Sequence, residues 1–383
     1  MLVKLTMSKG VYSCRRKTFY EIREGDAAGN SPFKSQSHVE QEDDGVSAKQ
    51  LPLYPTQLVG KLHHSLPQSI ISDKQRFETW FFSNYIQLFC NKGDRGSFPV
   101  NFYEYFLWDH PFPPLYAEKL TRGTIEMLGI DLFDFIVKCI DSGKYFYAYV
   151  DEFYVPFLTY QRWHYVHDIM IYGYDLETRE LDAVGMTQAN HFGTARITFE
   201  QFLEGYQAPT QHEYEHDIFL LSEKFNTNYQ FDLVLVRELL EDYLYSRNTS
   251  ARYRMVANPL DCLFGMDIYD RYMDDLRLAK ETGELISYLP VHTLMEHKEC
   301  MLKRMEYMRD QGHVDAERIA SVLEAYREVT LATQVLRSMI LKRHRTRKDN
   351  PTVDQLLDKV AVIRDKERQA LLDFLEVLPV PQL

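Results

Sequence analysis

Between Ser72 and Phe89 the apolar residues Phe77, Trp80, Phe81, Tyr85, Leu88 and Phe89 recur at three- or four-residue intervals, the spacing of one helical face. Ser72 or Asp73 supplies a side-chain oxygen to cap the first turn. A stretch rich in Gly, Pro and Asp follows, Gly93 to Pro114. The pattern then predicts a helix over Leu132–Ile140, stopped by Asp141-Ser142-Gly143. Beyond it the periodicity changes. Tyr145–Val150 is aromatic and β-branched and is broken by Val155-Pro156, Asp168–Tyr174 is an apolar run, and Leu181–Met186 is a third short strand. Thr198 is placed to cap a helix running to Tyr206.

Three strands joined by short polar turns predict an antiparallel sheet. From about Phe231 the helical period returns. Leu233, Val236, Leu239, Leu240, Tyr243 and Leu244 mark one helix, and Met295 to Met308 a second. Ala316–Arg343 and Val353–Leu378 are predicted as two more, packed as a bundle. The fold class expected is therefore α+β, an antiparallel sheet followed by C-terminal helices. The expected divisions are an N-terminal segment at 1–50, with a polar, mobile linker from 22 to 50, a sheet domain at 51–210 and a helical domain at 211–383.

Composition narrows the function classes. A hydrophobic fraction of 45% with 14% aromatics favours a packed core over disorder. A formal net charge of −12 argues against nucleic acid as a partner. The one basic run, Lys342 to Lys348, is explained by a helix C-terminus, where cations are favoured. The five cysteines (Cys14, Cys90, Cys139, Cys262, Cys300) form no CxxC pair, so neither a disulfide framework nor a four-cysteine zinc site is expected. No secretory leader or membrane-spanning run is read, which points to a cytoplasmic protein with no membrane partner. No phosphate- or dinucleotide-binding glycine motif stands out, and no cofactor is expected.

Two segments carry the candidate chemistry. Lys144-Tyr-Phe-Tyr-Ala-Tyr-Val-Asp-Glu-Phe-Tyr-Val-Pro156 is a strand ending in acid and Tyr-x-Pro, and His164-Tyr-Val-His-Asp-Ile-Met-Ile-Tyr-Gly-Tyr-Asp175 opens a strand with histidine. Together they resemble the butirosin biosynthesis protein H N-terminal family and, more distantly, bacteriocin-processing double-glycine peptidases. The helical half, around Leu294-Met-Glu-His-Lys-Glu-Cys-Met301, is similar to proteins of peptide-synthetase gene clusters. The resemblance implies a papain-like core in which His167 is the general base, a strand end being a rigid platform for it.

It also implies a cysteine nucleophile at the start of the first core helix, where the helix dipole lowers a thiol pKa. The family pattern Cys-Trp-x-Phe-Ser matches Thr79-Trp80-Phe81-Phe82-Ser83, so Thr79 occupies that position. Cys90 and Cys139 are expected near helix C-termini, which disfavour a thiolate, and Cys14 precedes the linker. The orienting acid falls on Asp182, with Gln188 or Asn190 as substitutes. Two of the three catalytic positions thus depart from the pattern. The alternative for His167 is a histidine hydrogen-bonded in the core or to Asp168, and the many tyrosines are expected as packing and cleft walls.

His212-Glu-Tyr-Glu-His216 is a literal HExxH, a zinc-protease signature if it lies on a helix. Pro209 just before it and the strand-like Ile218–Leu221 after it favour an exposed polar segment instead; Glu238 or Glu241 would be the third ligand. The resemblance implies a protein that handles acyl or aminoacyl thioesters, with an acyl or peptidyl carrier protein as partner and a small-molecule amine as acceptor. The alternative is a binding or docking protein that keeps the papain-like fold without its chemistry.

Overall fold

A computed structural model describes residues 47–92, 100–104, 114–225, 229–346 and 351–379. Cys14, most of the predicted linker and the end of the basic run lie outside these residues. The elements in chain order are β1 (Ala48–Gln50), α1 (Leu62–Gln68), α2 (Lys74–Asn84), β2 (Leu88–Asn91), β3 (Asn101–Phe102) and β4 (Leu115–Thr121). They continue with α3 (Arg122–Met127), α4 (Leu132–Asp141), β5 (Tyr145–Asp151), β6 (Val166–Asp175), β7 (Glu180–Met186), β8 (Phe192–Thr198) and α5 (Phe199–Gln207). The rest are β9 (Asp217–Glu223), α6 (Leu233–Leu244), β10 (Cys262–Phe264), α7 (Asp267–Thr282), α8 (Leu289–Asp310), α9 (Ala316–Thr346) and α10 (Val353–Val377).

The protein is α+β, and its main sheet is antiparallel throughout, in the order β4-β9-β5-β6-β7-β8, with β1 paired to the far end of β6. The expected linker therefore ends in a strand: Ala48 to Gln50 lie opposite Asp175 to Gly173, beyond the point where β5 begins. A second, three-stranded sheet has the order β10-β2-β3.

The alternation along β5 shows how the sheet is covered. Tyr145, Tyr147 and Tyr149 join a core containing Leu62 and Leu66 of α1, Phe81 of α2 and the apolar faces of α6 to α10. Phe146, Ala148 and Val150 join the other core, with Ile136 and Ile140 of α4 and Phe202 of α5. Successive strand residues point to opposite faces, so a strand covered on both sides is apolar at every position. The first core runs unbroken from the sheet into the C-terminal helices, and the described residues belong to one compact unit.

Helix starts follow the capping residues. Asp73 accepts from the Arg76 amide, Asp131 from Asp134, and Thr198 and Thr352 form capping boxes with Gln201 and Gln355. One boundary differs from expectation. The helix predicted to reach Phe89 stops at Asn84, and Leu88 to Asn91 form a strand paired with Cys262–Phe264. The reason is tertiary. Arg304 of α8, itself fully buried, donates to the carbonyls of Phe82 (2.7 Å) and Tyr85, and His297 Nε2 donates to the Ile86 carbonyl at 2.7 Å. These side chains satisfy carbonyls that a continuing helix would have used.

Candidate functional site

The site lies where β5 ends, β6 begins and α1 packs across the sheet. At the end of β5 two acidic residues organise the connecting loop. Asp151 accepts from the amides of Phe153 and Tyr165 at 3.0 and 3.1 Å, and its second oxygen meets His164 Nδ1 at 2.7 Å. The Glu152 carboxylate is fully buried; one oxygen accepts from the Thr159 amide at 3.3 Å and the other from His167 Nδ1 at 3.0 Å. His167 Nε2 lies 3.5 Å from Asp168 Oδ1, so each ring nitrogen faces a carboxylate. Burial lowers the His167 pKa, but the Glu152 hydrogen bond and the charges of Asp168 and Glu152 outweigh burial and the nearby Lys61 charge. The net effect is a pKa raised above 6.5.

Register separates two neighbours that are adjacent in sequence. Asp168 lies opposite Tyr149 and His167 opposite Val150. Alternation therefore assigns Asp168 to the face that α1 covers and His167 to the face of α4 and α5. The buried Asp168 carboxylate accepts from the Tyr147 hydroxyl at 2.6 Å. Its charge also raises the hydroxyl pKa values of Tyr147, Tyr149, Tyr165 and Tyr214, where burial is the larger cause in each.

Across from β6, Lys61 is the N-cap of α1, and His63 and His64 follow in its first turn. Asn101 of β3 bridges the two imidazoles, 3.0 Å from Nε2 of each. Burial depresses both pKa values, that of His64 to about 3, so both rings are neutral at neutral pH. Glu104 lies beside His64, 3.7 Å from its Nδ1, and is itself buried. Burial pushes its pKa well up, so this acid is held protonated.

The residues expected to form the triad are not brought together. Thr79 lies in the second turn of α2, its hydroxyl donating to the Gln75 carbonyl (2.9 Å) and sharing a hydrogen bond with Tyr307 of α8 (3.0 Å). Asp182 lies opposite Gly173, about 20 Å of strand from His167. Its partners are Gln50 at 2.9 Å and Arg196 at 3.2 Å. The Asn190 amide bonds to the Tyr288 hydroxyl. The carboxylate that orients His167 is Glu152, a residue the motif reading passed over. An Asp-Glu pair directly after an aromatic strand was the available signal.

Nor do the described cysteines supply a thiolate. Burial pushes the thiols of Cys90 and Cys300 up to about 12 and that of Cys139 to about 11, and raises that of Cys262. None of them hydrogen-bonds to His167. Cys90 lies on β2 rather than at a helix end. The HExxH segment is a short 3-10 turn, Glu213–His216, with His212 outside it as the cap. Buried Glu215 accepts from the amides of Gln211 and His212, and His216 bonds to Thr210 at 2.8 Å. A 3-10 turn does not set residues i and i+4 on one face as an α-helix does. Among the described residues, no group of three or more His, Cys, Asp or Glu side chains is arranged to hold a metal.

What these elements define is an α+β protein with an acid-clamped histidine at a sheet end, and a helix preceded by Lys61 and opening with Leu62-His63-His64 over the opposite face of the sheet. No protein-family model matches the chain, and no curated protein matches it. Among the described residues, no helix is long and apolar enough to cross a membrane.

Proposed function

We propose that this chain is a cytoplasmic, papain-like protein of the butirosin-H-like group that binds a carrier-protein thioester, or the synthetase bearing it, without forming a thiol acyl-enzyme. The observation that carries this reading is the double carboxylate contact of His167. An imidazole with Glu152 on one nitrogen and Asp168 on the other is favoured as a cation. A general base needs a free nitrogen aimed at a nucleophile, and none of the described cysteines meets it. The exposed rings of Trp163, Tyr165 and Tyr214 (55%, 49% and 42% exposed) border the same sheet end and suit a surface that is covered on binding.

One observation favours a second reading, an acyltransferase delivering to an amine. The Glu152–His167 bond is the geometry of an acid-oriented base. Intact-mass spectrometry with aminoacyl-pantetheine thioesters and aminoacylated carrier proteins, beside His167→Ala and Thr79→Ala variants, separates the two. Carrier binding without an acyl adduct, unchanged by His167→Ala, is the expected result. A hydroxylamine-labile adduct, or turnover lost in His167→Ala, moves the assignment to the enzyme. Absence of both binding and turnover across a broad panel removes both readings.

A further inference from the structure

The 31-residue helix α9 packs between α8 and α10. On one flank Arg327 meets Glu306 of α8 at 3.0 Å, and the Gln334 amide donates to Glu299 of α8 at 2.9 Å. On the other flank Glu328 meets Lys366 of α10 at 2.6 Å. Leu323, Tyr326, Leu336 and Ile340 are buried in the core. The outward face carries Glu324, Glu328, Leu331, Val335, Ser338 and Lys342, all six exposed. Leu331 is 62% and Val335 42% exposed, and both line an open groove that ends at Lys342. Val362 of α10, 47% exposed and one turn before Lys366, widens this apolar centre.

The intervals between these six residues are four, three, four, three and four. Alternating steps of four and three are the seam along which two helices lie side by side. This series also reads the same from either end, so a second α9 running in the opposite direction presents identical spacing. A two-fold axis level with Thr333 then sets Leu331 against Val335 of the second copy, Glu328 against its Ser338, and Glu324 against its Lys342. The chemistry is therefore self-complementary: acid at one end, apolar groups at the centre, base at the other end. A parallel copy is disfavoured, because it would face Glu324, Glu328 and Lys342 each with its own like charge. Two copies that each carry a net charge of −12 repel overall, and the Glu–Lys contacts oppose that repulsion where the helices meet.

We propose that the outward face of α9 is a self-association surface, on which a second copy of this chain lays its own α9 antiparallel. Leu331 and Val335 of both copies form the dry centre, and the Glu324–Lys342 pairs form the charged rim on either side. The Glu324 contact to Arg327 within α9 is long, at 3.4 Å, and yields readily to the lysine of the other copy. The seam from Glu324 to Lys342 spans about 27 Å of helix. A contact of that length belongs to the small class of specific interfaces, so the dimer forms reversibly and rises with concentration.

The test needs no thioester or carrier protein, so it stands or falls apart from the binding function. Sedimentation velocity of the full chain from about 1 to about 200 µM should show the mass rising toward twice that of the monomer. Leu331→Glu should raise the dissociation constant by about thirtyfold or more. Glu324→Lys and Lys342→Glu should each weaken the dimer by about fivefold, and the double variant carrying both reversals should recover most of that loss. Wild-type protein suffices should a variant fail to fold. A carbodiimide joins a carboxylate to an amine with no spacer, and Glu324 and Lys342 of one chain are about 27 Å apart. A Glu324–Lys342 cross-link found by peptide mass spectrometry therefore reports two copies in the antiparallel pairing. A chain monomeric at every concentration overturns the proposal. So does a dimer that is indifferent to Leu331→Glu, is not rescued by the double reversal, or lacks that cross-link.

Discussion

The histidine at position 167 draws its character from what touches it rather than from its place in a motif. Its pKa is raised above 6.5 in the folded protein. A group of that kind contributes stability that is full below the unfolded pKa and is lost as pH rises through the folded value. Denaturant unfolding of wild type and His167→Gln should therefore differ most on the acidic side of about pH 6.5 and converge as pH rises beyond the folded pKa. Imidazole titration by NMR gives the companion result. Glu152→Gln keeps the shape and an acceptor but removes the charge, so the His167 pKa should fall. An unchanged pKa would mean that Asp168 alone sets it, and the account of the clamp would be wrong.

Between elements, the helical half is joined by one buried polar network. Glu367 of α10 accepts from the hydroxyls of Tyr269 on α7 and Tyr326 on α9 at 2.7 Å, and from Tyr243 on α6 at 3.2 Å. Lys298 of α8 meets Glu367 at 2.7 Å, the Tyr243 hydroxyl at 2.8 Å and His297 Nδ1 at 3.0 Å. Five helices thus share one pair of opposite charges, both fully buried. Removing one partner strands the other charge. Lys298→Met should destabilise by about 3–5 kcal/mol, and adding Glu367→Gln to it should recover part of that loss. Chemical denaturation of the two single variants and the double variant reads the coupling; simple additivity would show that the contacts do not act as a unit.

At the scale of the molecule, the sheet face bearing Tyr145, Tyr147, Met170 and Val184 is covered by α1 together with helices far along the chain. It shares a single core with α1, α2 and the five C-terminal helices. Fully burying one large apolar side chain is worth about 1.5–3 kcal/mol, so removing the apolar side chains that α6 to α10 bring to this core is not offset by anything inside the sheet half. A fragment spanning residues 47–225, which keeps β9 between β4 and β5, should accordingly melt without cooperativity and bind a hydrophobic dye. A cooperative, monomeric melt would instead show that the sheet half is a separable domain. The Glu296 carboxylate, which reaches from α8 to the Val59 and Gly60 amides, also links the helices to the candidate site.

Local pattern alone carried the fold class. The aromatic strand from Tyr145, the strand opened by His167, the cap at Thr198 and the helices after Phe231 all follow from spacing that each segment carries in itself. So did the position of His167 at a strand end. The helix α7 was also legible, since Ile268, Tyr269, Tyr272, Met273 and Leu276 keep helical spacing, although the reading passed over it. Other features depend on distant residues. The end of α2 at Asn84 was set by Arg304 and His297, more than two hundred residues away. β4 and β10, and the short β1, are defined by their partners. The site followed the same division. Sequence placed a histidine, but only the register of β5 against β6 and the packing of the helices decided that Glu152 holds it and that Thr79 and Asp182 lie elsewhere. A hydrogen bond or a charge pair acts over a few ångströms of space, and spacing along a chain specifies that distance only within one element.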